Sequence, residues 1–297
     1  MPNDHTLSAS AQQALLDYMR SFRVPSGWDL RGLLTAFEAA MDFEFISGVS
    51  LSHVTVIDRS PWGLRAEVLA PTTPGPWPVL VYLHGGGWTT GHPQGYRRVS
   101  HEMARRGAVV VCPDYRRAPR HRFPAAIDDA RRSIEWATQN STRFGGDPTR
   151  VSLVGDSAGA NLAAGTLSAG LSTEISHIVL AYGIFDVHAA LETLGPIVGG
   201  PGAHEQLYLP TEQFENLRLD PRVNPIQATE SWPQLLVLSG TEDPLHSQSR
   251  GLVARRRDLG DTVVESIYPG TPHGFLQLPF LKEHVAAHDA IHQFIND

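Results

Sequence analysis

From residue 51 onward the chain alternates between short apolar runs and stretches whose apolar residues recur at helical spacing. Leu51–Ile57 and Leu64–Ala70 are predicted strands, joined by a turn at Pro61 and Gly63. Val79–Leu83, Ala108–Cys112, Val151–Val154, Ile178–Tyr182, Leu235–Leu238 and Val263–Ile267 are further short apolar runs. Most are separated by predicted helices at Tyr96–Arg106, Ala125–Gln139, Ala158–Ala169 and Arg250–Leu259, and Leu281–Ile295 reads as a closing helix. Such alternation predicts an α/β protein with eight strands, a mostly parallel sheet and helices on both faces. Ahead of the first strand, Ser10 and Gln13 have capping-box spacing, and Leu15, Tyr18, Met19 and Phe22 follow at helical intervals. Helices are expected at Ala11–Phe22 and Leu30–Met41, with Pro25 and Gly27 breaking the run between them. Residues 187–218 interrupt the strand–helix rhythm, carry Gly199-Gly200-Pro201-Gly202, and are expected to be an insertion over the top of the sheet.

Composition narrows the class. A chain of 297 residues suits one α/β domain with an insertion or lid. Its 41% hydrophobic and 19% charged residues are those of a globular protein. The net charge of -7 gives no reason to expect nucleic acid or an anionic membrane as a partner. Lys282 is the only lysine, so nearly all positive charge is arginine. Cys112 is the single cysteine and cannot form an internal disulfide. No apolar stretch approaches the roughly 20 residues of a membrane helix, and no signal-peptide pattern opens the chain, so a cytoplasmic protein is expected.

Three motifs carry chemistry. Gly155-Asp156-Ser157-Ala158-Gly159 fits G-x-S-x-G between a predicted strand and a predicted helix, the context of a nucleophile elbow. Glycines flank a serine held on a sharp turn because strand and helix pass too closely there for larger side chains. His84-Gly85-Gly86-Gly87-Trp88 follows the strand Val79–Leu83. Glycines let backbone N–H groups approach a developing alkoxide, and Gly85, Gly86 and Ala158 are the expected oxyanion donors. In this chain order the acid precedes the base. His273 follows the last strand, and Asp243 follows the one before it, with Glu242 as the weaker candidate for the acid.

These motifs, with Asp114-Tyr115-Arg116-Arg117-Ala118-Pro119, Phe123-Pro124-Ala125-Ala126, Asp243-Pro244-Leu245 and His273-Gly274-Phe275, resemble the hormone-sensitive-lipase-like family of α/β-hydrolases, the bacterial group IV esterases. The resemblance covers residues from about 50 to 297. It implies the α/β-hydrolase fold and hydrolysis of carboxylic esters with short to medium acyl chains. It also implies a helical cap built from residues 1–48 and the insertion at about 187–218, over a core spanning 49–297. The chain departs from the family pattern in three places. Arg116-Arg117-Ala118-Pro119-Arg120 stands where Arg-Leu-Ala-Pro-Glu is common, Tyr182-Gly183 stands for a usual Tyr-Pro, and Ala160 replaces a frequent glycine.

Other residues read as structural. His84 is expected to shape the oxyanion loop, Asp156 to make local hydrogen bonds, and Cys112 to act as a small buried hydrophobe. His284, His288 and His292 recur every four residues, a spacing able to hold a metal, but they are expected to be solvated. Phe185, Tyr208 and Phe214 belong to an apolar set, with Phe22, Trp28, Phe37, Phe43, Phe45, Leu191, Leu194 and Leu207, that either lines an acyl pocket or packs the cap. The expected function is a serine carboxylesterase with Ser157, His273 and Asp243 as its triad and no cofactor or metal. The expected partner is a small-molecule ester, and a homodimer is a possible assembly. The rival readings are an amide or formamide hydrolase with the same triad and a non-catalytic receptor on a hydrolase scaffold.

Overall fold

The computed structural model describes residues 48–57, 63–171, 175–190, 208–279 and 281–297. The two N-terminal helices expected at Ala11–Phe22 and Leu30–Met41 lie outside the described residues, as does the middle of the insertion. Eight strands form one sheet in the order β1-β2-β4-β3-β5-β6-β7-β8. They are β1 (Val49–Ile57), β2 (Leu64–Pro71), β3 (Trp77–Leu83), β4 (Val109–Pro113), β5 (Gly146–Asp156), β6 (His177–Ala181), β7 (Gln234–Gly240) and β8 (Val263–Tyr268). β2 runs antiparallel to both β1 and β4. Every pairing from β4 through β8 is parallel. All eight expected strands are present, and β5 extends the short run Val151–Val154 at both ends.

The central strands read as unbroken apolar runs because both sheet faces are covered. In β3, Val79, Val81 and Leu83 enter one core, and Leu80 and Tyr82 enter the other. β4, β6 and β7 alternate in the same way. Helices α2 (Ala125–Asn140), α3 (Ala158–Thr166) and α4 (His246–Asp258) contribute to the first core. Helices α1 (Arg97–Arg105) and α5 (Lys282–Phe294) contribute to the second. α3 ends earlier than its sequence pattern suggests, passing into a wider turn over Leu167–Leu171. Of the expected insertion, residues 187–190 are helical and short 3-10 turns stand at Thr211–Gln213 and Asn216–Leu219; a further 3-10 turn, Pro225–Gln227, follows it.

The chain crosses from β4 on one side of β3 to β5 on the other. This reversal opens a crevice at the carboxyl ends of the strands, where parallel sheets bind ligands. The glycine-rich loop after β3, Ser157 after β5, Asp243 after β7 and His273 after β8 all stand on that edge. Among the described residues no helix is long and apolar enough to cross a membrane.

The structure corrects the expectation for the C-terminal histidines. His284 and His288 are buried between α5 and α1, and only His292 is exposed. His288 Nδ1 lies 2.7 Å from His284 O, and the two rings stand 4.5 Å apart. α5 turns this face inward because Ala287, His288 and Ile291 share it. No group of three potential metal ligands occurs among the described residues. Burial, then the neighbouring His284, push the pKa of His288 down to about 3 despite the nearby Glu102. A histidine kept neutral in the fold but free to protonate when unfolded makes stability fall as pH drops below 6.5. Removing that group should flatten the dependence. Between pH 6.5 and 5, wild type should lose about 2 kcal/mol relative to His288→Leu, at about 1.4 kcal/mol per pH unit. Urea unfolding of both proteins at the two pH values measures this difference.

Candidate active site

β5 delivers Ser157 directly into α3. Its backbone sits at φ 53°, ψ -121°, a conformation rarely adopted by a residue with a side chain. Such strain costs about 1–3 kcal/mol and persists only where the surroundings over-determine it. Here they do. A Cβ on Gly155 would lie 2.3 Å from Gly159 O, and one on Gly159 would lie 1.9 Å from Leu83 O. Strand, turn and helix therefore pass at backbone contact distance, and the Ser157 N–H is held by Ala181 O at 2.9 Å.

Two adjoining loops position the other groups. The Thr241 N–H donates to Tyr268 O and the Glu242 N–H to Thr271 O, both at 3.1 Å. The Gly270 N–H donates to Thr241 Oγ1 at 2.9 Å. These bonds zip the loop after β7 to the loop after β8. Asp243 Oδ1 accepts the Leu245 N–H at 2.8 Å, and Oδ2 faces His273 Nδ1 at 2.9 Å. His273 Nε2 faces Ser157 Oγ at 2.9 Å. A carboxylate only accepts, so Nδ1 carries the proton and Nε2 is left to accept the serine hydroxyl. Asp243 is buried while Glu242 is exposed, so of the two neighbouring acids it is Asp243 that meets the histidine. Burial disfavours the His273 imidazolium, but the charge and hydrogen bond of Asp243, with a contribution from Asp156, outweigh it and raise the pKa above its ordinary value. Tyr182 packs edge-on against the imidazole at 4.9 Å and holds it from the side.

The glycine-rich loop corrects one expected donor. The Gly85 N–H already donates to Asp156 Oδ1 at 2.8 Å, so it cannot serve an oxyanion. Next come Gly86, Gly87 and Trp88, all with positive φ (113°, 58° and 61°). Successive left-handed residues curl the backbone so that its N–H groups converge. The Gly86 carbonyl accepts the Thr89 and Thr90 N–H groups, which closes the curl. Among the described residues, no acceptor takes the Gly86 or Gly87 N–H. Ala158 is the first residue of α3, where the N–H has no partner within the helix.

Asp156 ties this loop to the elbow. Its carboxylate is buried beside the nucleophile and accepts the Tyr82 hydroxyl at 2.7 Å as well as Gly85. Burial pushes its pKa up to about 6 against these hydrogen bonds. The sequence offered Asp156 only as a local hydrogen-bonding residue; its link to Gly85, 71 positions away, needed the fold. His84 is buried between the rings of Tyr96 and Tyr115, and burial lowers its pKa to about 4. Trp88 stacks on Tyr208 at 4.6 Å, and its Nε1 donates to Asn161 Oδ1 at 3.2 Å. Tyr208 thus joins the described end of the insertion to the loop, whereas Phe185 is packed in the core.

With this geometry established, the relatives can be placed. A family model described as the alpha/beta hydrolase fold matches residues 80–277. The chain belongs to this α/β-hydrolase family. Carboxylesterase NlhH of Mycobacterium tuberculosis is 46% identical over 88 residues, 29% of this chain and 28% of that protein's length. Ethyl acetate hydrolase of Pseudomonas putida is 31% identical over 69% of this chain and 68% of its own length. A hyperthermophilic esterase from Pyrobaculum calidifontis superposes with a TM-score of 0.79 at 28% identity, over 98% of each chain. An α/β-hydrolase of this group needs the elbow's close approach, and that can be tested. Gly159→Ala should cost about 1–3 kcal/mol or more, because backbone must move. Gly251→Ala in α4, where the new Cβ would meet only Ile226 Cδ1 at 3.6 Å, should instead stabilise by about 0.5–1 kcal/mol. Thermal unfolding midpoints of the two variants should move in opposite directions.

Proposed function

We propose that this protein hydrolyses carboxylic esters with short to medium acyl chains through an acyl-enzyme on Ser157. The observation that carries this reading is the continuous hydrogen-bonded chain from Ser157 Oγ through His273 to Asp243, each link 2.9 Å. Ser157 Oγ attacks the ester carbonyl carbon as its proton passes to His273 Nε2. The carbonyl oxygen becomes an alkoxide, to which the N–H groups of Gly86, Gly87 and Ala158 donate. Gly87 takes the place that the sequence gave to Gly85. Each such donor is worth roughly 3–4 kcal/mol in sites of this kind. Collapse breaks the bond to the alcohol oxygen, which leaves with the proton from His273. Water then attacks the acyl carbon while His273 takes its proton. The second collapse returns that proton to Ser157 and frees the carboxylic acid.

Asp243 keeps the imidazole in the tautomer that accepts from serine and stabilises the imidazolium. Most of the relatives are named as esterases, and one carries a short-chain ester, ethyl acetate, in its name, which supports an ester; arylacetamide deacetylase of Mus musculus, 36% identical over 141 residues, is named for an amide. Ser157→Ala should abolish turnover of a short-chain aryl ester and covalent labelling by a fluorophosphonate, with unfolding unchanged. A panel of matched esters and amides should show ester turnover in wild type; amide turnover alone would replace this reading with an amidase.

The acid assignment has its own test. Asp243→Asn keeps the shape but can donate to Nδ1, which favours the wrong tautomer. The same change in the serine-protease triad lowers turnover about 10⁴-fold, a known reference case. Comparable loss is expected here, while Glu242→Gln should stay within about tenfold of wild type. Steady-state rates of both variants at neutral pH distinguish the two acids.

A further inference from the structure

Three successive residues with positive φ, Gly86, Gly87 and Trp88, shape the loop that carries two of the oxyanion donors. Glycine adopts such a backbone freely and tryptophan does not, so Trp88 at φ 61° has to be held from outside. Three contacts hold it. Its carbonyl accepts the Ala118 N–H at 2.9 Å, and its Nε1 donates to Asn161 Oδ1 at 3.2 Å. Its indole lies flat on the ring of Tyr208, with centroids 4.6 Å apart and planes 5° from parallel. Ala118 stands in the loop after β4 and Asn161 in α3, so both belong to the core. Of the three partners, Tyr208 alone comes from the insertion expected at about 187–218.

Tyr208 is itself braced for this contact. Its carbonyl accepts the Phe123 N–H at 3.0 Å, and the Phe123 ring meets its ring edge-on at 6.1 Å. The Arg222 guanidinium lies over the Phe123 ring at 5.2 Å. The Tyr208 hydroxyl is buried and takes no hydrogen-bond partner among the described residues. A buried hydroxyl without a partner adds nothing that phenylalanine would lack, so the ring face is what the loop uses. The glycine-rich loop is therefore pinned at both ends, by Asp156 on the Gly85 N–H and by the contacts of Trp88. Gly86 and Gly87 lie between the pins and have no side chains of their own to hold them.

Resting on the hydrolase reading above, we propose that Tyr208 is a positioning residue for ester hydrolysis: its ring, stacked on Trp88, holds the Gly86 and Gly87 N–H groups where the oxyanion forms. The insertion thereby sets the rate of the chemical steps, acting through Trp88 rather than on the reacting atoms. Acylation and deacylation both pass through an oxyanion, and preorganised donors act on the transition state more than on the bound ester. The loss on removing the ring should therefore fall on kcat rather than on KM.

The test compares Tyr208→Leu, Tyr208→Ala and Tyr208→Phe in the full chain, with a short-chain aryl ester at neutral pH. Rates are expressed per reactive serine, counted by end-point labelling with a fluorophosphonate, so misfolded protein does not enter them. Tyr208→Leu keeps apolar volume but cannot stack, and it carries the test if Tyr208→Ala fails to fold. Losing one oxyanion donor outright costs about 10²–10³ in turnover, so both variants should lower kcat at least about tenfold and leave KM within about threefold. Inhibition by an aryl trifluoromethyl ketone, whose adduct with Ser157 places an oxyanion in the same position, should weaken by the same factor as kcat/KM. Tyr208→Phe keeps the ring and should rescue kcat to within about twofold of wild type. A merely structural role would lower the unfolding midpoint and the number of reactive serines with kcat per serine unchanged, and that result overturns the proposal. A loss confined to KM, or one that Tyr208→Phe shares, overturns it too. Absence of ester turnover in wild type would sink the hydrolase reading and this inference together, whereas wild-type turnover that Tyr208→Leu leaves intact sinks this inference alone.

Discussion

The backbone contact between Gly159 and Leu83 O is the constraint on which the rest of the site depends. A methyl group at Gly159 would stand 1.9 Å from that oxygen. The contact presses the first turn of α3 against the end of β3. It therefore fixes Ser157 relative to the glycine-rich loop that leaves the same strand end. Asp156 reinforces the junction from inside, taking the Tyr82 hydroxyl from β3 and the Gly85 N–H from the loop. Ser157 and the glycine-rich loop are thus parts of one rigid unit. The positive φ of Ser157 is held within it because neither neighbour can relax independently.

Base and acid are held by a different device. The loops after β7 and β8 are irregular, but three hydrogen bonds between them leave little freedom. Gly240 allows the close approach, since a Cβ there would lie 2.1 Å from Thr271 O. His273 and Asp243 consequently move together, and their 2.9 Å bond is preorganised. Burial alone would keep His273 neutral. The charge and hydrogen bond of Asp243, with Asp156 nearby, shift the balance toward the imidazolium.

Charge elsewhere on this edge follows a different logic. Around Ser157 the buried Asp156, Tyr82, Tyr115 and Asp243 each have a specific partner, because an unpaired group would cost more than it contributes. In the loop after β4 the pairs are ionic, Arg116 with Asp129 and Arg117 with Asp114. Tyr115 links that loop to the glycine-rich one, its hydroxyl donating to His84 O and its ring stacking on His84.

The eight strands, the mostly parallel sheet and the serine–acid–histidine order were legible in the chain. Local rules carry them: period-two burial on two covered faces, glycines flanking a serine, and catalytic groups after successive strands. The choice of Asp243 over Glu242 was legible too, since Pro244 and side-chain length act locally. Three features were not. Gly85 reads like its neighbouring glycines, yet its N–H is taken by a carboxylate 71 residues away. His284 and His288 look like solvated surface residues, because four-residue spacing gives a helix face but not its direction; packing against α1 turned it inward. The arginines at 116, 117 and 120 read as a charge reversal in a loop, and only the fold gathered them with Arg132 around one cavity. Sequence by itself determined which local structures and chemical groups exist. Tertiary structure decided which N–H groups stay free and which charges converge, because both depend on contacts between segments far apart in the chain.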